Sequence, residues 1–228
     1  MGVPYRVETN HPWPDNTLWG GFLLAITNFI LAPSIILFIR WGRFDIAGVL
    51  TLLCVVSSAY HMCRAGFVCF TQFHIALTYD HLCVYMALLW ITTYCIVRNE
   101  WFPRDPATGR RDVPLAYVTR MRAGVFFLMA IPVLGLVLNN PESVWVNIFG
   151  FGIPATLVII SAVVTGTHIF HKPIYGWIGV AMFVTGAAFY SVAPYRWYDW
   201  AHSLWHVLSM LAVPFIAVSC DEELWKMR

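Results

Sequence analysis

Two histidines near the C-terminus have the spacing of a metal-binding pair. His202 and His206 are four residues apart in Trp-Ala-His-Ser-Leu-Trp-His, so a helix places both on one face, about one turn apart. Two imidazoles at this spacing reach a single metal ion. The motif by itself is weak, because two histidines that merely pack together have the same spacing.

A second group of polar residues lies in otherwise apolar sequence. Ser57 and His61 are also four residues apart and share a helical face, and Asp80 is the one clear acid inside an apolar run. A carboxylate at the centre of a membrane costs roughly 2.5–3.5 kcal/mol, so one that persists there usually has a partner. The alternatives are that Asp80 reaches water from the membrane edge and that Ser57 bonds to its own helix backbone.

Together these residues predict a zinc site. Three histidines suit Zn²⁺, and a catalytic zinc keeps its fourth position for water. His61, His202 and His206 are therefore the predicted ligands, and Zn²⁺ is the predicted cofactor. If the protein is an enzyme, Asp80 is the predicted general base or water-orienting residue, and Ser57 the donor to a polarised carbonyl or to the metal water. No glutamate follows the first histidine, so the protease pattern H-E-x-x-H is not present.

Other histidines leave alternatives open. His74 and His81 flank the start of the third predicted span, and His81 points about 100° away from the aspartate that precedes it. His81 therefore remains an alternative ligand in place of one of the three. His168 and His171 are predicted at the opposite membrane surface, and His11 lies in the N-terminal tail.

The composition predicts the elements that position these residues. Of 228 residues, 59% are hydrophobic and 11% are charged, against about 25% charged in a soluble domain. A soluble core cannot absorb so much apolar side chain, which excludes a cytosolic enzyme, a disordered protein and a fibrous repeat. The net charge of +2 is too small to indicate nucleic acid as a partner.

Seven nearly uncharged runs predict seven membrane-spanning helices. Each run approaches or exceeds the roughly 18 apolar residues that a span needs, and a helix satisfies its backbone hydrogen bonds without water. The fold class is therefore an all-α membrane protein, a seven-transmembrane helix bundle that forms one domain over residues 1–228. The predicted spans cover residues 18–39, 46–63, 75–97, 123–139, 145–168, 174–192 and 200–219. No signal peptide is predicted.

The basic residues predict the orientation of the bundle. With seven spans, 11 lysines and arginines fall on one side of the membrane and 3 on the other. The positive-inside rule then places the N-terminus outside and the C-terminus in the cytosol. In this topology His61, Asp80, His202 and His206 lie at similar depth in the outer half of the membrane, although the charge count did not involve them.

The cysteines give weaker signals. None of the six forms a C-x-x-C pair, so a cysteine zinc site is not indicated. Cys63 and Cys69 flank the loop between the second and third spans, where a disulfide and two free thiols are both open. Cys220, at the cytosolic end, is a candidate for palmitoylation.

The combined pattern resembles the CREST superfamily of membrane proteins. The pattern is Ser-x3-His late in the second span, Asp80 early in the third, and His-x3-His in the seventh. The superfamily includes alkaline ceramidases, the adiponectin and progestin receptors, and the transmembrane-protein-8 family with myomaker. The last branch is the most similar, through the stretch SAYHMCRAG at 58–66, Tyr79-Asp80 with Tyr85, and WYDWAHSLWH at 197–206. The similarity extends over essentially the whole chain, which is a bare seven-helix core like that of myomaker.

This resemblance implies a function as well as a fold. It implies zinc on His61, His202 and His206, with Asp80 and Ser57 beside it and a lipid-accessible cavity between the helices. It also implies cell–cell membrane fusion, as between myoblasts, at the plasma membrane. Two alternative functions stay open: a zinc-dependent lipid amidase or esterase, ceramidase- or phospholipase-like, and a ligand-sensing receptor. The Golgi or endoplasmic reticulum membrane is the alternative location. Membrane lipid is the expected partner; a homodimer and a fusion partner protein are open, and no nucleic acid is expected.

Overall fold

The described part of the chain is helical throughout its regular elements. A computed structural model describes residues 18–98, 115–140, 144–165, 170–192 and 197–220. Within these ranges there is no β-strand, so the all-helical prediction is confirmed for them. The helices are α1 (Leu18–Thr27), α2 (Leu31–Arg40), α3 (Phe44–Arg64), α4 (Phe73–Arg98), α5 (Leu115–Asn139), α6 (Val144–Thr165), α7 (Pro173–Val192) and α8 (Tyr198–Cys220).

Six helical segments among the described residues are long and apolar enough to cross a membrane. In α6 the corresponding apolar stretch is shorter, Phe149–Ser161. A chain with this many apolar helices is a multi-pass membrane protein. The six segments are Gly20–Arg40, Phe44–Arg64, Phe73–Ile96, Arg120–Asn139, Pro173–Tyr190 and Tyr198–Cys220.

Several helices begin outside the predicted spans. α4 begins at Phe73 and not at 75, and α5 begins at Leu115 and not at 123. The extra turns of α5 carry Arg120 and Arg122, which the prediction had placed in a loop because they are charged. A helix can continue beyond the apolar region, since arginine buries its stem and keeps its charged head near water. His168 and the end of the predicted fifth span lie outside the described residues.

The first predicted span contains a break. A 3-10 turn, Asn28–Ile30, separates α1 from α2. Two side chains of α3 bond to α1 and to this turn: Cys54 Sγ donates to Asn28 O over 3.4 Å, and Ser58 Oγ to Ala25 O over 3.2 Å. The tighter turn is therefore held by a neighbouring helix, and it lies directly after Thr27.

α3 ends in a short loop that a disulfide closes. Gly66 has φ +76°, a left-handed conformation that glycine adopts without steric cost, and it follows the last turn of the helix. Cys63 and Cys69 form a disulfide, which decides between the two alternatives left open by the sequence. Phe70, just beyond the disulfide, is 82% exposed. The loop therefore ends α3 only a few residues after His61.

The helices form two compact units. The first comprises the described residues up to 83 and those of 177–216, and the second the described residues of 84–176 and of 217–220. In the first unit α3 packs on α1 and α2, and a Cβ added to Gly21 would overlap Ala65. In the second, α5 packs on α6, and a Cβ added to Gly150 would overlap the ring of Tyr85. Small residues at such points let membrane helices approach closely.

Candidate metal centre

The first unit brings together the three predicted zinc ligands. One ring nitrogen from each of His61, His202 and His206 lies within 4.8 Å of the other two. The ring centroids are 5.0 Å apart for His61 and His202, 5.0 Å for His61 and His206, and 4.6 Å for His202 and His206. In a tetrahedral site with Zn–N distances near 2.0 Å, ligand nitrogens lie about 3.3 Å apart. The three nitrogens are thus within about 1.5 Å of the separation that a tetrahedral zinc site requires.

Two helices supply these ligands. His61 lies in the last turn of α3, and His202 and His206 lie one turn apart early in α8. Because His202 and His206 are four residues apart, α8 places both imidazoles on the same face. His61 is fully buried and His206 nearly so, while His202 is partly accessible.

The Nδ1 atom of His206 is held by α1. Thr27 Oγ1 lies 3.1 Å from His206 Nδ1 and itself donates a hydrogen bond to Leu24 O over 3.0 Å. Because the hydroxyl hydrogen is used on the carbonyl, the threonine oxygen accepts from Nδ1–H. This assigns Nε2 of His206 as the free lone pair, the arrangement that metal-binding histidines usually have.

The Nδ1 atom of His202 contacts Tyr198 in the same helix, and Arg64 of α3 in turn holds this tyrosine. Tyr198 Oη lies 2.6 Å from His202 Nδ1, and it accepts a hydrogen bond from Arg64 Nη1 over 2.8 Å. The Arg64 guanidinium also lies over the Tyr198 ring, 4.4 Å from its centroid. The phenol oxygen thus occupies the place behind the ligand where a carboxylate or carbonyl stands in many zinc proteins.

His61 provides a test of whether the site fits a metal. Both of its ring nitrogens are buried and neither has a hydrogen-bond partner among the described residues. A buried polar atom without a partner costs about 1–3 kcal/mol, so such atoms call for an explanation. A zinc ion bound by three neutral imidazoles accounts for one of these nitrogens, and the donor set fits Zn²⁺.

Asp80 and Ser57 lie together, and Ser57 is one helical turn from the ligand His61. Both are buried, and the Ser57 hydroxyl hydrogen-bonds the Asp80 carboxylate. Ser57 is one turn before His61 on α3, and Asp80 is in the second turn of α4. Asp80 Oδ1 has no hydrogen-bond partner among the described residues. The structure therefore places Asp80 against Ser57, one helical turn from His61, and Asp80 is not among the clustered donors.

The competing histidines are placed differently. His81 Nδ1 lies 3.0 Å from Leu77 O in its own helix, which uses one of its ring nitrogens. His74 is exposed at the start of α4. In the described ranges, the group that could share one metal consists of His61, His202 and His206.

Three residues around the ligands were not anticipated from the sequence. Tyr198 could have been predicted, because it lies four residues before His202, as His202 lies four before His206, and all three share one face of α8. Thr27 and Arg64 could not have been predicted, since each acts on a residue far away in the chain.

No protein-family model matches this chain, and no curated protein matches it significantly.

Proposed function

We propose that this protein is a zinc-binding membrane protein of the CREST superfamily, in the branch of transmembrane-protein-8 and myomaker, and that it promotes cell–cell membrane fusion as myomaker does between myoblasts. The observation that carries the proposal is the buried cluster of His61, His202 and His206, with nitrogens within 4.8 Å. Its ligands occupy the positions that match the motifs of that superfamily. The fusion activity itself comes from the resemblance.

The proposed topology has seven spans with the N-terminus outside. α6 has 22 residues, a length of about 33 Å, which is enough to cross the hydrocarbon core with the other six. The disulfide between Cys63 and Cys69 supports the orientation, because disulfides persist in oxidising compartments and the charge count puts this loop outside. The proposed location is the plasma membrane.

The chain's own residues have separate roles at the metal. His61 would join α3 to the α8 ligands His202 and His206, so the metal ties together the outer ends of two helices. When bound, a zinc ion with an open coordination position would polarise a substrate or water as a Lewis acid. A zinc ion with all its coordination positions filled would contribute to the free energy of folding. For a fusion protein we propose the second role, with lipid bound between the helices as the partner. A homodimer and a separate fusion partner protein are compatible with this role.

One observation favours a second candidate, a zinc-dependent lipid amidase or esterase. Asp80 Oδ1 is buried without a hydrogen-bond partner among the described residues, while Ser57 holds the carboxylate. A carboxylate oriented by a serine and left with one free oxygen is suited to accept a proton from an attacking water. In that case Ser57 is an orienting residue, and the protein resides in the Golgi, endoplasmic reticulum or plasma membrane.

The metal assignment is tested on purified full-length protein. We expect about one Zn²⁺ per chain by elemental analysis. His61→Ala, His202→Ala and His206→Ala should each lose most of it, whereas His74→Ala, at an exposed histidine, should keep it. Full zinc retention in His202→Ala contradicts the assignment.

The fusion function is tested by expressing the chain in non-fusing cells mixed with fusion-competent myoblasts. We expect shared cytoplasm above mock-transfected cells, and much of that activity should survive in an Asp80→Asn variant that reaches the surface. The hydrolase candidate predicts the opposite pattern: no gain in fusion, and release of fatty acid or sphingoid base from lipid that Asp80→Asn abolishes, because a base cannot be spared from the chemical step.

A further inference from the structure

We infer that Arg64 is a positioning residue for the zinc ligand His202 and that it acts through Tyr198. This inference rests on the zinc site proposed above. Arg64 does not belong to the cluster of potential ligands, and its guanidinium has no acceptor lone pair to offer a metal. Apart from the electrostatic effect of its charge, Arg64 can therefore act on the metal only through another side chain.

The first contact fixes the phenol of Tyr198 at two points. Arg64 Nη1 donates to Tyr198 Oη over 2.8 Å, and the guanidinium carbon lies 4.4 Å from the ring centroid. A hydrogen bond alone lets the ring swing about the bond, and stacking alone lets the hydroxyl turn. The planar, forked guanidinium makes both contacts at once, which the ammonium of lysine cannot do.

The second contact fixes the imidazole of His202. Tyr198 Oη lies 2.6 Å from His202 Nδ1, and the two rings are nearly perpendicular, with centroids 5.1 Å apart. A metal bound at Nε2 of His202 would put the ring hydrogen on Nδ1, and the phenol oxygen would then accept from both Nδ1–H and Arg64. The pair Arg64–Tyr198 therefore holds the orientation of the His202 ring.

Arg64 and His61 lie in the same last turn of α3, three residues apart. His61 would bind the metal directly, and Arg64 holds a ligand that belongs to α8. The outer end of α3 thus contributes to the site twice, and a small rotation of this end changes the position of His61 and the support of His202 together. The disulfide at Cys63 holds the same turn.

A simpler account is that Arg64 only extends towards water from a helix end. Arginines in that role place the guanidinium in solvent and contact little else. Arg64 instead is partly buried, stacks on Tyr198 and interacts electrostatically with the carboxylate of Asp199, next to that tyrosine. Both of these partners are in the first turn of α8, so the charge is held against the helix that bears His202.

The experiment measures metal binding, with no reference to activity. The full-length protein in lipid nanodiscs is stripped of metal and titrated with Zn²⁺ in competition with a chelating dye, and with Co²⁺ to record the visible absorption of the bound ion. The variants are Tyr198→Phe, Arg64→Met, Arg64→Lys and the double variant Arg64→Met/Tyr198→Phe. Tyr79→Phe and Arg40→Met are matched controls, because they remove an exposed hydroxyl and an exposed guanidinium.

We expect Tyr198→Phe to weaken zinc binding about 10–100-fold and to shift the cobalt bands, as loss of a partner behind a ligand does. Arg64→Met should produce the same shift. The double variant should bind zinc no more weakly than Tyr198→Phe, because both substitutions interrupt the same chain of contacts from Arg64 through Tyr198 to His202. Arg64→Lys should recover part of the affinity, since lysine still donates to the phenol. The controls should match the wild type.

Three results would overturn the inference. If Arg64→Met binds zinc and cobalt like the wild type, Arg64 does not position the ligand. If its effect adds in full to that of Tyr198→Phe, it acts by another route. If Arg64→Met fails to accumulate, Arg64→Lys provides the test. An unchanged zinc affinity and an unchanged cobalt spectrum in Arg64→Lys would show that the stacking contact does not position His202. If the wild type binds no metal, the zinc site itself is rejected. If the wild type binds metal and the Arg64 variants bind it equally well, only the role of Arg64 is rejected.

Discussion

Thr27 Oγ1 and His206 Nδ1 are 3.1 Å apart, and this contact joins the end of α1 to a predicted metal ligand of α8. Thr27 is the last residue before the 3-10 turn Asn28–Ile30. The change in helical pitch therefore starts at the residue that supports the ligand. Short 3-10 stretches inside long helices often mark functional positions.

The hydroxyl of Thr27 should be needed for tight zinc binding. Thr27→Val keeps the shape but removes the acceptor for His206 Nδ1–H, and we expect zinc affinity to fall about 10–100-fold. Thr27→Ser retains the hydroxyl and should stay within a few-fold of the wild type. Chelator competition on the purified proteins gives the measurement, and equal affinity in the valine and serine variants would show that the contact does not support the ligand.

Asp80 should matter less to the metal than the histidines do. It hydrogen-bonds Ser57 and lies outside the three-histidine cluster. Asp80→Ala should therefore reduce zinc retention less than His206→Ala does, by tens-fold at most. Zinc per chain after dialysis against a chelator distinguishes the two. Equal loss in both variants would instead identify Asp80 as a ligand and remove one histidine from the set.

The disulfide offers a test of orientation that needs no epitope tag. If the loop after α3 faces outside, a membrane-impermeant reductant applied to intact cells should make Cys63 and Cys69 reactive to an impermeant maleimide. Cys220 is buried, so the cytosolic side is probed with an Arg40→Cys variant: this exposed position should react only after permeabilisation, because the proposed topology puts it in the cytosol. A Cys63→Ser/Cys69→Ser variant is the control for the outer signal. Labelling of that loop only in permeabilised cells would reverse the topology.

The close approach of α1 to the end of α3 should make Gly21 intolerant of a side chain. A Cβ there would overlap Ala65, and because the obstruction includes the Ala65 Cα the backbone would have to move. We expect Gly21→Ala to cost about 1–3 kcal/mol, the usual range for overpacking. Gly48→Ala is the matched control, since no atom lies within 4 Å of the new Cβ.

Thermal unfolding in detergent measures both glycine variants. Gly21→Ala should lower the midpoint, and Gly48→Ala should leave it unchanged or raise it, because alanine favours a helix over glycine by about 1 kcal/mol. Equal midpoints for Gly21→Ala and the wild type would mean that α1 and α3 do not pack as closely as described.

The helices, and the pairing of residues within them, could be predicted from the sequence alone. A helix in lipid satisfies its backbone locally, so apolar runs between charges indicate helices wherever they occur. Residues four apart share a face for the same local reason, which is why His202 and His206 could be paired. The boundaries were less predictable: the charge criterion placed the start of α5 too late, because Arg120 and Arg122 stay in the helix that begins at Leu115.

The support of the ligands was decided by the tertiary structure. Thr27 meets His206 across 179 positions of the chain, and Arg64 meets Tyr198 across 134. Nothing local distinguishes Thr27 from other threonines or Arg64 from other basic residues at a helix end. A hydrogen bond requires donor and acceptor within about 3 Å in the correct direction. Only the packing of α1 and α3 against α8 can bring residues so distant in sequence to that separation.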